Sequence, residues 1–196
     1  MKTLLIIDLQ NDFLPGGSLP VTDGDYIIEE INEIMSNYDL IVATKDWHPS
    51  DHVSFASNHN GKKMGDVVRI KDHSQILWPD HCVQESFGSE FPQSLNKDKI
   101  EKVIYKGKNK DIDSYSAFFD NPRDSSTGLF EFLKEKKVEK IDCVGLATEY
   151  CVKYTALDSV NLGFYTRVLS KCIKGLNSDD IKKSIDGMRL KGIVII

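Results

Sequence analysis

The sequence predicts an α/β fold, with three α/β/α layers and a mostly parallel central sheet. Short β-branched or aliphatic runs alternate with helical patterns along the chain, and this alternation is typical of parallel sheets that carry helices on both faces. The chain has 196 residues, which suits one domain because domains commonly span roughly 100–200 residues. We therefore expect residues 1–196 to form a single domain.

Strands are predicted where short apolar runs are bounded by polar or turn-forming residues. The first such run, Leu4 to Ile7, ends at Asp8. In chain order, the predicted strands cover residues 3–7, 40–44, 67–70, 102–105, 141–146, 165–169 and 193–196.

Helices are predicted where apolar residues recur with the helical period. The predicted helices cover residues 23–37, 127–137 and 150–162, and a last one begins at Ser178. Apolar residues share one face of the first and of the last helix: Ile27, Ile28, Ile31, Ile34 and Met35, and then Ile181, Ile185 and Met188.

Composition indicates a folded protein without a strong overall charge. The hydrophobic fraction is 40%, the charged fraction 28% and the formal net charge −5, so no broad basic surface for nucleic acid is expected. No apolar stretch approaches the ~20 residues that a membrane span needs, and we expect neither a signal peptide nor a membrane anchor. The four cysteines include no Cys-x-x-Cys pair, which favours a reducing, cytoplasmic environment.

One irregular region, from residue 46 to about residue 96, departs from the alternation of strands and helices. It is rich in His, Asp, Ser and Gly, and it contains all five histidines and both tryptophans of the chain. Long irregular stretches within compact domains are usually functional. We therefore expect ligand-binding chemistry in this region.

Three side chains of this region predict a metal site. Asp46 and His48 follow a predicted strand two residues apart, so extended backbone points them to the same side. His81 would be a third ligand, which leaves an open coordination position of the kind that catalytic metal sites keep. By spacing alone, surface-loop histidines beside a solvated aspartate are an equally good interpretation.

Four polar residues lie at the carboxyl ends of predicted strands, where ligands bind in parallel sheets. They are Asp8, Asp46, Lys106 and Cys151. A cysteine attacks as its thiolate, which a nearby cation and a helix N-terminus favour, and Lys106 and the helix predicted from residue 150 supply both. Asp8 is then the candidate base that takes the thiol proton. Taken singly, each residue also fits a structural role, as a turn cap, a solvated lysine or a buried small side chain.

Six ordered segments resemble motifs of the nicotinamidase (pyrazinamidase) branch of the isochorismatase-like cysteine hydrolases. They are IDLQNDF at 7–13, TKDWHP at 44–49, WPDHCV at 78–83, YKG at 105–107, DSYSAF at 113–118 and VGLATEYCV at 144–152. Each segment is weak alone, but six in one order make a specific match over nearly the whole chain.

The resemblance implies the isochorismatase-like hydrolase fold and a catalytic triad of Asp8, Lys106 and Cys151. It also implies a cis peptide bond between Leu146 and Ala147. The backbone N–H groups of Ala147 and Cys151 would then form the oxyanion hole.

The resemblance also assigns Asp46, His48 and His81 as ligands of a divalent metal. Zn²⁺ is the first choice, with Mn²⁺ or Fe²⁺ as alternatives, because an Asp/His/His set accommodates all three. An additional ligand from Ser54 or His52 is left open.

Phe13, Trp78 and Tyr115 match family positions that wall a ring pocket, and flat aromatic walls suit a pyridine ring. The implied reaction is hydrolysis of nicotinamide to nicotinate and ammonia through a cysteine thioester, in NAD salvage. The implied partner is thus a small-molecule substrate, without nucleic acid or membrane, and a homo-oligomer is left open. The chain departs from the family pattern at Glu149, where Asp is expected.

Two alternative interpretations remain from the sequence. One is an isochorismatase or another amidase of the same superfamily, and the other is a non-catalytic metal-binding member. Isochorismatases typically lack the metal ligands, and some replace the cysteine, so the presence of both favours a nicotinamidase. An intact nucleophile, base and cation argue against a non-catalytic protein.

Overall fold

The computed structural model describes all 196 residues. Its eight strands are β1 (Lys2–Ile7), β2 (Leu40–Asp46), β3 (Val67–Ile70), β4 (His73–Ile76), β5 (Lys102–Lys106), β6 (Lys140–Gly145), β7 (Tyr165–Ile173) and β8 (Val194–Ile195). Six of them form one sheet in the order β5-β2-β1-β6-β7-β8, and every adjacent pair in it is parallel. Strands β3 and β4 form a separate antiparallel hairpin. The predicted fold class is therefore confirmed.

Four α-helices accompany the sheet: α1 (Ile27–Ile34), α2 (Leu129–Glu135), α3 (Lys153–Asn161) and α4 (Ser178–Leu190). The segment predicted as one helix at 23–37 contains α1 between two 3₁₀ turns. A π-helical turn at Thr148–Val152 leads into α3, and the Asn177 side chain caps the first turn of α4. No helix here combines the length and the apolar character needed to cross a membrane.

Alternate side chains of β1 enter two separate hydrophobic cores. Leu4 and Ile6 pack on the face covered by α1, whereas Leu5 and Ile7 pack on the face covered by α2, α3 and α4. All four side chains are fully buried, because a central parallel strand with helices on both faces has no solvent side. The sheet is thus the middle one of three layers.

The irregular region from residue 46 to about residue 96 is more ordered than the sequence predicts. It contains the β3–β4 hairpin, and Trp78, Phe91 and Leu95 anchor it in the core on the α1 side. Strand β4 was not predicted because His73–Ile76 carries only one aliphatic residue, and its pairing with β3 defines it instead. The region is therefore fixed against the sheet edge where the candidate site lies.

Candidate active site

The carboxyl edge of the sheet gathers the charged residues that the sequence places at strand ends. Asp46 and Lys106 are the last residues of β2 and β5, and they lie opposite each other in the parallel register. Asp8 follows β1 directly, and Cys151 lies on the π-helical turn after β6. Residues far apart in sequence thus become neighbours at one edge.

Lys106 lies at the centre of the predicted triad. Its Nζ is 2.8 Å from Asp8 Oδ2 and 3.4 Å from Cys151 Sγ, and it donates a hydrogen bond to the carbonyl oxygen of Ser114 at 2.9 Å. Asp8 and Lys106 are 0% and 1% exposed, and Cys151 is 6% exposed. The structure therefore brings the three predicted residues together in a nearly dry site.

Burial sets the direction of the pKa shift for the two acidic groups of this cluster, Cys151 and Asp8. It raises the pKa of the Cys151 thiol well above its ordinary value, against the attraction of Lys106. It also raises the pKa of the Asp8 carboxyl, again against Lys106. Burial alone would lower the pKa of Lys106, but Asp46 and Asp8 outweigh it and hold that pKa well above its usual range. Desolvation of the buried sulfur thus exceeds the effect of the cation on the pKa of the thiol, which suits a mechanism in which a base takes the thiol proton.

Thr44 fixes the direction of the Asp8 carboxylate. Its hydroxyl donates to Asp8 Oδ1 at 2.5 Å and accepts from the Asp8 N–H at 3.1 Å. Asp8 has a φ of +46°, a left-handed conformation that non-glycine residues rarely adopt, so these bonds support an unfavourable turn. Thr44 was not among the predicted site residues. Its position could have indicated a place in the site, because it lies two residues before Asp46 on the same strand and both side chains therefore point to the same side.

The three predicted metal ligands converge at one point. Asp46 Oδ2 lies 3.8 Å from His48 Nε2 and 4.0 Å from His81 Nε2. The outer ring nitrogens are bonded to backbone carbonyls, His48 Nδ1 to Gly107 at 2.9 Å and His81 Nδ1 to Pro79 at 2.7 Å. If these nitrogens carry the ring protons, both Nε2 atoms are free to coordinate, and burial lowers the pKa of His48 well below its ordinary value. The donor set therefore fits a divalent cation.

Asp46 connects this metal-ligand cluster with the triad. One of its oxygens accepts a hydrogen bond from Lys106, while the other faces the two histidines. The buried Gln10 side chain holds the Asp46 backbone by accepting from its N–H and donating to its carbonyl oxygen, both at 2.8 Å. Gln10 belongs to the IDLQNDF motif. The sequence around it does not indicate that its side-chain amide hydrogen-bonds to the Asp46 backbone, as a neighbouring strand would.

Gly107 is expected to be irreplaceable beside His48. Its φ is +63°, and a Cβ there would collide with Cε1 of the His48 ring. We expect Gly107→Ala to displace the His48 ring and to weaken Zn²⁺ binding about 10–100-fold, the usual effect of losing support around a ligand. Competition with a chromophoric chelator measures this affinity.

The matched control is Gly61→Ala. Gly61 has a similar φ of +71°, but a Cβ added there would have no atom within 4 Å, so this change adds backbone strain without the collision. A Gly107→Ala protein that binds Zn²⁺ as tightly as Gly61→Ala does would contradict the role assigned to the contact with His48.

His52 and Ser54, the residues left open as a further ligand, are bonded to each other. Ser54 Oγ lies 2.7 Å from His52 Nδ1, and the His52 ring packs on the His48 ring with centroids 4.1 Å apart. Both residues are fully buried. A ligand role for either stays a prediction.

A cavity opens beside the triad and the predicted metal ligands. It is lined by Phe13, Leu19, Val21, Asp46, Trp78, His81, Asp113, Tyr115, Ala147, Tyr150, Cys151 and Leu176. The three predicted aromatic walls are all present, and Trp78 Nε1 donates to Tyr115 Oη at 3.2 Å. Tyr150 was not predicted, although it contacts Trp78 edge-on at a centroid distance of 5.0 Å. A small aromatic ligand suits these walls.

The turn that carries Cys151 also supplies a free backbone donor. The peptide bond between Leu146 and Ala147 is cis, as the resemblance implies. Ala147 lines the cavity, and no protein oxygen accepts a hydrogen bond from its N–H. This N–H is therefore available to an oxygen of a bound ligand.

The carboxyl edge of the parallel sheet thus holds a buried aspartate, lysine and cysteine beside an aromatic cavity. The isochorismatase domain family matches residues 2–196. The chain belongs to this family.

Two curated relatives cover most of the chain. The nicotinamidase of Acinetobacter baylyi is 42% identical over 174 residues, which are 89% of this chain and 81% of the relative. The nicotinamidase of Escherichia coli is 41% identical over 180 residues, with coverages of 90% and 84%. The protein is accordingly a hydrolase that acts on an amide bond.

Solved structures of nicotinamidases and pyrazinamidases share the whole fold. A nicotinamidase and pyrazinamidase of Acinetobacter baumanii superposes with a TM-score of 0.97 at 40% identity, covering 100% of this chain and 95% of that one. The yeast nicotinamidase bound to the inhibitor nicotinaldehyde gives 0.94 at 33% identity, with coverages of 100% and 99%. The pyrazinamidase of Pyrococcus horikoshii in complex with zinc gives 0.82 at 36% identity, with coverages of 100% and 98%.

Proposed function

We propose that the chain hydrolyses nicotinamide to nicotinate and ammonia through a thioester on Cys151. The observation that carries the proposal is the contact of Lys106 Nζ with both Asp8 and Cys151 at the wall of an aromatic cavity. Relatives named nicotinamidase support the substrate, and the yeast structure with nicotinaldehyde supports a small pyridine ligand.

Asp8 is the proton carrier in this mechanism. It takes the thiol proton as the Cys151 sulfur attacks the amide carbon, and it passes that proton to the nitrogen that leaves as ammonia. It then takes a proton from the water that attacks the thioester, and it returns this proton to the Cys151 sulfur as the C–S bond breaks and nicotinate leaves. Burial raises the pKa of Asp8, and a carboxylate of higher pKa is a stronger base. A base in contact with the sulfur is needed, since burial also keeps the thiol protonated.

Lys106 and two backbone N–H groups stabilise the charges that this reaction creates. Lys106 remains a cation, because Asp46 and Asp8 hold its pKa high, and it faces both the sulfur and the base. The N–H groups of Ala147 and Cys151 are proposed to hold the substrate oxygen as it becomes negative.

The residues Asp46, His48 and His81 are proposed to hold a divalent cation. Zn²⁺ is the first choice because the Pyrococcus horikoshii relative binds zinc, and Mn²⁺ and Fe²⁺ suit the same donors. When bound, the cation would supply a coordination position for the ring nitrogen. Phe13, Trp78 and Tyr115 would then enclose the ring.

Ammonia release from nicotinamide by the purified protein tests the proposed function. Formation of ammonia and nicotinate in equal amounts is expected. Release from other amides but not from nicotinamide would favour a different amidase of the family, and no release from any amide would favour a non-catalytic member.

Removal of the metal is expected to raise the KM for nicotinamide, because binding would lose its contact at the ring nitrogen. Benzamide carries the same amide without that nitrogen, so it should be a poor substrate of the metal-loaded protein and lose little on chelation. Steady-state kinetics before and after chelation, with Zn²⁺ added back as the control, measures the difference. Equal kcat/KM for benzamide and nicotinamide on the metal-loaded protein would contradict ring-nitrogen coordination.

A further inference from the structure

The Glu149 side chain links the cysteine-bearing turn to Leu176, a residue that lines the cavity. It lies two positions before Cys151 and is 6% exposed. Its Oε1 accepts hydrogen bonds from the backbone N–H groups of Leu176 at 2.8 Å and Asn177 at 2.9 Å. Leu176 lines the cavity, and Asn177 caps α4. One carboxylate oxygen therefore connects the cysteine-bearing turn with Leu176 in the cavity wall and with the start of α4.

Two further features hold the turn at residues 148–152 close to residues 174–177. The Thr148 N–H donates to the Lys174 carbonyl oxygen at 2.9 Å. Gly175 has no side chain, and a Cβ there would collide with Glu149 Oε2. The second carboxylate oxygen thus occupies the space that any other residue at position 175 would need.

We propose that Glu149 is a positioning residue that sets the separation of Cys151 and Leu176, and thereby excludes substituents on the substrate ring. The inference rests on the proposed function, because it requires the pyridine ring to occupy this cavity. Glu149 does not line the cavity, so it acts through Leu176. Leu176 is an aliphatic residue of the cavity lining and can select only by shape, for which a misfit of one methyl group is worth about 10–200-fold.

Glu149→Ala removes the hydrogen bonds to the Leu176 and Asn177 N–H groups and leaves the Cys151, Asp8 and Lys106 side chains unchanged. We expect the KM for nicotinamide to rise about tenfold, with kcat within about twofold. A second substrate is nicotinamide with a methyl group on the ring carbon meta to the carbon that bears the amide. We define the substrate ratio as kcat/KM for this methylated compound divided by kcat/KM for nicotinamide. This ratio should also rise about tenfold, because Leu176 can move outward. Glu149→Gln keeps an acceptor oxygen for both N–H groups, and it should restore all three values to within about threefold of wild type.

Gly175→Ala tests the same contact from the other side. Its methyl group collides with the Glu149 carboxylate and requires the Ile181 side chain to shift, so the KM for nicotinamide should rise. In the Glu149→Ala background only the shift of the Ile181 side chain is still required, and the double variant should lie closer to Glu149→Ala than to the sum of both effects. Gly187→Ala, at a glycine where an added Cβ would have no atom within 4 Å, is the control.

Kinetics with the two substrates separate the inference from the proposed function. Wild-type turnover of nicotinamide tests the function alone, whereas the substrate ratio of the variants tests the role of Glu149. A Glu149→Ala protein with lower thermal stability but unchanged KM and substrate ratio would make Glu149 a structural residue and overturn the proposal. Should that variant not fold, a folded Gly175→Ala protein with an unchanged KM for nicotinamide would overturn it equally.

Discussion

Replacing Cys151 by Ala is expected to abolish nicotinamide hydrolysis, with a loss in kcat of at least about 10⁴-fold. No other side chain with a sulfur or a hydroxyl contacts Lys106 Nζ, so no substitute nucleophile is in place. The metal content should not change, because the ligand cluster of Asp46, His48 and His81 does not include the sulfur. Ammonia release and metal analysis of the purified variant measure the two effects.

Cys143→Ala is the matched control for loss of a buried thiol. Cys143 lies on β6 and packs into the core on the α2 side, without lining the cavity. It should keep near-wild-type kcat. Turnover that survives in Cys151→Ala would mean that water, not sulfur, attacks the amide.

Replacing Asp8 by Asn is expected to lower kcat about 10²–10⁴-fold, the usual contribution of a general acid–base group, with little effect on KM. The Asn side chain is nearly isosteric and still accepts a hydrogen bond from Thr44. It cannot take the Cys151 proton or deliver one to ammonia, so the loss falls in the chemical steps. The pH dependence of Cys151 alkylation should also shift, since a neutral neighbour neither accepts the proton nor repels the thiolate.

Asp142→Asn is the control for loss of a buried carboxylate. Asp142 pairs with Arg167 and Tyr38 and does not line the cavity, so stability should fall while kcat is retained. Near-wild-type kcat in Asp8→Asn would assign Asp8 to a structural turn and leave Cys151 without a base.

The fold class, and the edge of the sheet at which the site residues gather, could be predicted from the general features of parallel sheets. Apolar runs mark the strands, and the carboxyl ends of those strands lie at one edge, so Asp8, Asp46 and Lys106 were expected at that edge. The adjacency of their strands in the order β5-β2-β1 comes from the structure. Cys151 follows from the same rule, through the turn after β6.

The supporting residues could not be predicted, because their partners come from other elements. The Thr44 hydroxyl on β2 donates a hydrogen bond to the carboxylate of Asp8, which follows β1. The Gln10 side-chain amide bonds to the backbone of Asp46, the last residue of β2. Likewise, the raised pKa of the Cys151 thiol depends on the depth of burial. That depth depends on the loops that cover this edge of the sheet, and the pattern of apolar runs does not define their course.

The central claim is that Cys151 becomes acylated during turnover, and time-resolved mass spectrometry tests it most directly. Wild-type protein is mixed with saturating nicotinamide, quenched with acid before and after one turnover time, and digested. The account predicts a nicotinoyl group on the peptide that contains Cys151, appearing within the first turnover and disappearing when the substrate is exhausted. Ammonia production with that peptide unmodified at every quench time would contradict it.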